Sequence, residues 1–406
     1  MIENFSYLVL INIVNKILPF LTIPYIIKIV GLEKFGIIMF SYSFVAFFQI
    51  LPKYAFNLVS TKYVSLHRDD NQLLSQYFWN IIGTKLFLFG ITVVLFFPMV
   101  LFFNKFNQEF IIFGFSFFLI LADILMPIWF FQGKEEMKYI SFFHIVSKVI
   151  YTLLIFLLIQ HEEDYILIPL LNVSSTLVLG IYAFYFIHKR YTLSLKIPQL
   201  KQMVELLKEG WHLFLSTLSV NLYTTVNTVL LGLLTNYTVV GIYSLAETIY
   251  GAYVKIIKIY NQVVYPHIAC YANNRKQLIQ QSKKFFYLYV VILSVLSFAL
   301  LFSAQFIIEL MFGIGHEASI LVLQLLSLVI LFEPLGGFFT AYLILKSEYK
   351  RVTHITFLVM LMSFVMIVPM ILWLEEIGLV LTLLSLSIFQ VLLNLKYNQE
   401  LYRKSI

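Results

Sequence analysis

The chain has 406 residues, of which 61% are hydrophobic and only 12% charged, with a net charge of +7 at pH 7. Apolar runs of about twenty residues recur from end to end, which excludes both a soluble globular domain and the alternating strands of an outer-membrane barrel. A single cysteine, Cys270, excludes an internal disulfide, and the basic residues sit in short loops between apolar runs, so membrane topology accounts for them and nucleic acid is not an expected partner.

The expected fold class is therefore an all-α integral membrane protein of about twelve transmembrane helices. The spans fall at 5–30, 36–62, 74–103, 109–131, 138–160, 164–188, 210–234, 237–266, 281–303, 317–346, 351–374 and 377–397. The first span lacks a basic leader and a small-residue cleavage site, so no cleavable signal peptide is expected.

The first span carries Asn12, Asn15, Lys16 and Pro19 at helical spacing, which makes one face of an apolar helix polar and charged. A lysine at that depth is costly unless it faces protein or water. Lys53 in span two and Lys85 in span three lie about 15 Å from the nearer boundary, at or beyond the reach of a snorkelling side chain. They either snorkel or line an internal chamber. Asp123 is the acid of span four. Lys148 in span five shares a face with His144 and Tyr151, and two readings stand for it: a salt bridge to Asp123 or a ligand contact.

Between spans six and seven, 189–209 is the one long connection. Ile197, Leu200, Val204 and Leu207 recur at helical spacing opposite Lys201, Glu205 and Lys208, which predicts an amphipathic helix on the membrane surface. The segment separates 1–188, with spans one to six, from 210–406, with spans seven to twelve and a short tail.

The second half repeats the first at an offset of about 205 positions, as a weak parallel tandem repeat of six helices would. Lys16 then meets Asn221, Gly36 meets Gly241, and Lys53 meets Lys258, while Asn57 and Asn261 fall one residue out of register. Gln72-Leu73-Leu74 meets Gln277-Leu278-Ile279. Lys258 shares a polar stripe with Glu247, Asn261 and Gln262. Glu247 and Glu333 are the deep acids of this half and read either as carriers of a coupling cation or as paired carboxylates. His144, His267 and His354 have no metal-ligand spacing, and the chain holds no phosphate-cradling glycine loop or nucleophile constellation. No metal or cofactor is expected beyond a coupling H+ or Na+.

Basic residues collect at one end of the spans, among them Arg68, Lys134, Lys189, Arg190, Lys276, Lys346 and Arg351, against Lys28, Lys34 and Lys105 at the other. The positive-inside rule puts both termini in the cytoplasm. The in-span lysines outnumber the acids of the first half. Lys16, Lys53, Lys148 and Lys258, with Asn12, Asn221 and Asn261, are the candidate contacts for an anionic group such as a phosphate or diphosphate. Asp123, Glu247 and Glu333 are the candidates for ion coupling.

Several stretches resemble a known family. Asn15 to Gly36, NKILPFLTIPYIIKIVGLEKFG, is similar to the first span of the O-antigen and polysaccharide flippases of the Wzx type. These belong to the multidrug/oligosaccharidyl-lipid/polysaccharide exporter superfamily. Pro127 to Met137, PIWFFQGKEEM, resembles that family's P-x-W-x-F-Q-G-x-E-x-M pattern. Tyr265-Pro266-His267-Ile268 and Pro334 to Lys346 resemble the ends of its eighth and tenth spans. One departure stands out: where the family reads D-Y-G-F-N, this chain reads Lys53-Tyr54-Ala55-Phe56-Asn57.

The resemblance implies two six-helix lobes around a central cavity, here cationic. It also implies a lipid-linked oligosaccharide, undecaprenyl-diphosphate-bound, carried between the leaflets of a bacterial inner membrane among membrane lipids. The implied partners are a polysaccharide polymerase and chain-length machinery. A multidrug–cation antiporter and a peptidoglycan-precursor flippase are the alternatives within the superfamily. A membrane-embedded polymerase or glycosyltransferase is the alternative of another class, and such an enzyme usually needs a larger external segment than these short loops provide.

Overall fold

In the computed structural model, residues 2–224, 226–271 and 274–403 are described; the side chains at 2–13, 15–17, 216, 219, 220, 222–224, 275 and 399–403 lie outside that description. The regular elements among them are helices. Eight stretches are long and apolar enough to cross a membrane. Two of these, Leu18–Lys53 and Tyr349–Asn398, contain a break. Together the eight cover expected spans one to six and nine to twelve. Spans seven and eight also fall on helices, but their polar faces lower their hydropathy. The chain is an all-α, multi-pass membrane protein that divides into two compact units, Met1–Val229 and Leu230–Ile406.

Unit 1 begins with α1 (Ile2–Lys53), which breaks at Gly31. The φ of 78° and ψ of 168° there belong to a region that is essentially glycine's alone. The chain continues through α2 (Phe56–Leu66), α3 (Asn71–Phe102), α4 (Asn104–Asn107), α5 (Phe110–Ile124), α6 (Ile128–Gly133), α7 (Met137–Leu158) and α8 (Leu167–Arg190). Two expected spans are therefore each made of two helices. Span two breaks at Tyr54, with a φ of 46°, just after Pro52; span four breaks at Pro127. Proline removes a helical hydrogen bond and clashes with the preceding turn, which accounts for the break at Pro127.

Water drives little of this packing in a bilayer, so close fit and interhelical hydrogen bonds matter more. The Ser41 and Ser116 hydroxyls bond at 2.9 Å between α1 and α5, and the Tyr25 hydroxyl donates to the Ile159 carbonyl at 2.7 Å. Such bonds contribute roughly 0.6 kcal/mol each in membranes. At one end of the unit, Phe40, Phe44, Phe96, Phe106, Phe113 and Phe117 stack in a dry cluster, with Phe44 and Phe106 centroids 4.7 Å apart.

The segment 191–199 departs from the amphipathic helix expected over 189–209. It is extended, because Pro198 cannot join a helix interior and restrains the residue before it. It lies along α3 as a strap. Asn71 Nδ2 donates to Thr192 Oγ1 at 3.2 Å, Ser194 N to Ser75 Oγ at 3.1 Å, and Trp79 Nε1 to the Ser194 carbonyl at 3.2 Å. Gln76 donates to the Ile197 carbonyl, and Asn80 accepts from Gln199 N and donates to Gln202. Asn71, Ser75, Trp79 and Gly83 recur every fourth residue, so one face of α3 supplies the track. A Cβ at Gly83 would lie 2.7 Å from the Pro198 ring, so only glycine leaves room. Helix α9 (Leu200–Thr224) starts directly after the strap. The Tyr54 hydroxyl donates to the Leu207 carbonyl at 2.8 Å, and the Tyr54 ring stacks on Phe214 at 4.4 Å. Unit 1 consequently extends beyond the boundary the sequence suggested.

Unit 2 takes in the end of α10 (Val226–Leu234), α11 (Tyr237–Ala269), α12 (Arg275–Phe312), α13 (Glu317–Leu345) and α14 (Tyr349–Arg403). Expected spans eleven and twelve are both in α14, which breaks at Glu375. A Cβ at Gly378 would lie 1.9 Å from the Met370 carbonyl oxygen, so the two arms of α14 touch at backbone distance. Ser297 Oγ donates to the Ser327 carbonyl at 2.7 Å and ties α12 to α13. The fully buried Asn394 joins α14 to the Gly336 carbonyl and Thr340 of α13. Asp70 and Asn274 cap α3 and α12 in the same way, each accepting from the amide of the nearby glutamine, Gln72 or Gln277.

Candidate functional site

The two broken spans of unit 1 build a charged centre. Lys53 is the last residue of α1, and Asp123 lies in the last turn of α5. A helix C-terminus carries partial negative charge, which favours Lys53 and opposes Asp123. Their ion pair, Nζ to Oδ1 at 3.7 Å, relieves the second at the expense of the first. Both side chains are partly exposed, at 43% and 30%, so the pair adds about 1 kcal/mol or less. Asp123 thus pairs with Lys53, not with Lys148, the partner weighed from sequence.

Lys85 of α3 is 2% exposed, so it does not snorkel. It has no ion pair within 4 Å among the described residues, and Asp123 and Lys53 are the charges that act on it. Lys148 is half-buried with its ammonium 5.6 Å from the Tyr151 ring centroid. His144, one turn away, feels both Lys148 and Asp123. Lys53 and Lys85 therefore answer to one carboxylate, while Lys148 stands one turn from His144, which feels it. Asn12 and Lys16 lie on α1, and their side chains fall outside the described residues.

The sequence Pro127–Met137 holds the far halves of the broken spans together. A Cβ at Gly133 would lie 2.5 Å from Val64 Cβ and 2.9 Å from the Thr61 carbonyl oxygen, so α6 meets α2 at backbone distance. Thr61 Oγ1 lies 3.3 Å from both the Trp129 carbonyl and Gln132 Oε1. Trp129 and Phe131 are fully buried. Glu135 pairs with Arg68 and Glu136 with Arg190, each at 3.1 Å, and Lys134 donates to the Arg68 carbonyl. This motif is a clasp at the basic end of unit 1. It sets where Lys53 and Asp123 stop without itself facing a ligand.

Unit 2 gathers acids and tyrosines. The Tyr250 hydroxyl of α11 donates to Glu333 Oε2 of α13 at 2.6 Å. Glu247 is half-buried one turn before Tyr250, and Tyr243 feels both carboxylates. Glu333 immediately precedes Pro334, where α13 lacks a backbone donor. Lys258 and Lys255 are exposed on α11. Asn261 is turned inward and donates to the Tyr289 hydroxyl at 3.0 Å. Asn221 of α9 donates to the Thr217 carbonyl of its own helix at 2.8 Å. The expected set is therefore found in two groups. Lys53, Asp123 and Lys148 belong to unit 1, and Glu247, Lys258, Asn261 and Glu333 to unit 2.

The sequence model for the polysaccharide biosynthesis protein family matches residues 1–272. The chain belongs to that family. A protein of Escherichia coli (strain K12) named "Putative O-antigen transporter" is 28% identical over 94% of this chain and 93% of its own. A protein of the same name from Shigella dysenteriae is 24% identical over 66% of this chain and 67% of its own. Two solved structures share the fold. The lipid II flippase MurJ, in an inward closed conformation, has a TM-score of 0.73 at 16% identity, covering 96% of this chain and 87% of its own. A multidrug resistance MATE family transporter, in an inward-facing conformation, has a TM-score of 0.70 at 14% identity, covering 96% of each chain.

Within the polysaccharide biosynthesis match lie the Lys53–Asp123 pair, the clasp and the strap. Sequence reasoning left Lys85 between snorkelling and function, and it missed Tyr54 and Tyr250. The two tyrosines gave no signal, because their partners are distant in sequence. For Lys85, the mid-span position was itself the signal.

Proposed function

We propose that this protein is a flippase for a lipid-linked oligosaccharide, an undecaprenyl-diphosphate-bound repeat unit of O-antigen or a related polysaccharide. It moves the unit from the cytoplasmic to the periplasmic leaflet of a bacterial inner membrane by alternating access and does no covalent chemistry. The observation that carries this reading is the cation excess within the spans of unit 1, where Lys53, Lys85 and Lys148 accompany the in-span acid Asp123. Ammonium groups held off the aqueous phase suit a diphosphate, which presents several anionic oxygens in a small volume. Family membership and the names of the relatives support the same cargo.

Asp123 holds Lys53 while no substrate is bound, and a diphosphate competes for that ammonium. Lys16, Lys148, Lys258, Asn12, Asn221 and Asn261 complete the proposed contacts to diphosphate and glycan. Asp123, Glu247 and Glu333 are the proposed carriers of a coupling H+ or Na+. Reconstitution with a fluorescent lipid-diphosphate-sugar tests the reading. Translocation faster than in protein-free vesicles, slowed by Lys53→Gln with Lys148→Gln, is the expected result. A rate equal to that of empty vesicles, or efflux of a cationic dye in its place, overturns it.

A further inference from the structure

We propose that unit 2 holds one phospholipid of the adjoining leaflet, anionic in its head group, in a pocket between α11, α12 and α13. The cavity measures about 470 Å³, within the range that holds small ligands. Ile268, Phe338, Ala341 and Leu345 give it an apolar wall. A Cβ at Gly337 would meet nothing within 4 Å, so the void reaches the α13 backbone.

Four observations select the occupant. The pocket lies in the last turns of α11 and α13 and the first turns of α12, and so at one face of the membrane rather than at its centre. In a membrane-spanning unit, an apolar void at that depth is filled by a lipid chain. The same end of the three helices carries Lys276, Lys283, Lys284 and Lys346, with Lys346 set 4.5 Å from the Tyr342 ring centroid. Glu348, the nearby acid, is bound to Arg351 at 3.3 Å. Such a rim attracts an anionic head group in preference to a zwitterionic one.

Ser282 selects the kind of lipid. It lines the pocket, is 7% exposed, and its hydroxyl has no hydrogen-bond partner. Ser303 of the same helix instead bonds its own preceding turn, at the Ala299 carbonyl. A buried, unpaired hydroxyl is costly unless a ligand supplies the acceptor. Ser282 lies seven residues beyond Arg275, roughly 10 Å into α12. That depth is where a diacyl phospholipid places its ester carbonyls, below the phosphate. A polyprenyl phosphate has no acceptor there. The pocket borders the proposed substrate contacts at Asn261, which lines it, but the ester-carbonyl acceptor sought by Ser282 is a feature of the phospholipid and not of the cargo.

Native mass spectrometry of the delipidated full-length protein, titrated with lipid, tests the proposal. Diacyl phosphatidylglycerol is expected to saturate one site, more tightly than phosphatidylcholine. Its diether analogue, which lacks the carbonyls, is expected to bind about three- to tenfold more weakly, the effect of one hydrogen bond. In Ser282→Ala the diacyl and diether lipids should bind equally. Ala341→Phe should abolish the site. Ala341→Phe adds bulk among packed helices, so the single-oxygen change Ser282→Ala serves as the primary variant, with thermal melts as control. Equal binding of diacyl and diether lipids by the unmodified protein overturns the assignment. So does equal binding of phosphatidylcholine, or displacement of phosphatidylglycerol by a tenfold lower concentration of polyprenyl phosphate.

Discussion

The two units solve the problem of polar groups in a membrane with opposite chemistry. Unit 1 breaks two of its spans and brings the broken ends together, so that Lys53 and Asp123 meet at two helix C-termini beside the buried Lys85. Unit 2 keeps α11 and α13 continuous and joins them through Tyr250 and Glu333. Within the spans of unit 1 lysines outnumber acids, and Asp123 is the carboxylate placed among them. In unit 2 the deep acid Glu333 is held by a neutral hydroxyl, that of Tyr250, and not by a lysine. The arrangement teaches that a weak tandem repeat can keep its helix order while its halves diverge in electrostatics. The departure at Lys53, where the family pattern has an acid, puts a cation beside Asp123 at the junction of the broken spans.

The contrast extends to the glycines that shape each unit, and the largest expected effect lies there. Gly378→Ala forces a Cβ to within 1.9 Å of the Met370 carbonyl. It should cost about 3 kcal/mol or more, at the upper end of overpacking penalties, and abolish recovery of monodisperse protein in detergent. Gly31→Ala meets open space and carries only backbone strain, about 1–3 kcal/mol. Its melting temperature should therefore fall by less than that of Gly378→Ala; the reverse order would show that the hairpin of α14 is not built on that close approach.

Next comes the carboxylate of unit 1. Asp123→Asn leaves Lys53 and Lys85 without a counter-charge and should slow translocation by about tenfold, the effect of roughly 1.4 kcal/mol on a barrier. An unchanged rate would remove Asp123 from the cycle. Lys85→Met separates structure from function. Replacing a buried ammonium by an apolar chain of similar length should stabilise the protein by about 1 kcal/mol or more. If Lys85 serves the diphosphate, translocation falls as the melting temperature rises. If both rise, Lys85 is a bystander.

In unit 2, Tyr250→Phe should cost about 1 kcal/mol by removing the hydrogen bond to Glu333, Glu333→Gln less because the amide oxygen still accepts, and the double variant little more than Tyr250→Phe alone. Additive losses would mean that the two side chains act separately. The smallest effect belongs to Lys258→Ala. The residue is exposed, so its melting temperature should not change measurably, and any loss of transport reports substrate contact.

Much of this fold is legible from hydropathy, because a bilayer requires long apolar helices and tolerates few alternatives. The polar faces around Asn221 and Lys258 are legible too, by helical spacing. The strap is not, although Pro198 marks where the helix cannot begin. An apolar stripe at Ile197, Leu200 and Val204 looks the same whether it leads into a surface helix or an extended segment, and all three residues are indeed exposed. The Lys53–Asp123 pair is invisible for another reason. Asp123 offers itself equally to Lys53, Lys85 and Lys148 in sequence, and only the breaks at Tyr54 and Pro127 decide among them. The Pro127–Met137 motif can be recognised by pattern, but its work as a clasp depends on Val64 and Thr61, which no spacing connects to it.

The strap also fixes where the chain has slack. A connection between two halves ordinarily contributes free contour length, and each half then diffuses on its own tether. Here 191–199 is spent against α3 and contributes no free length. Lengthening the strap with a glycine–serine insert would restore the missing slack only if the hydrogen bonds to Asn71, Trp79 and Asn80 were also lost. The face of α3 that fastens the strap ends at Gly83, two residues before the buried Lys85, so one helix both anchors the connection and carries a buried charge.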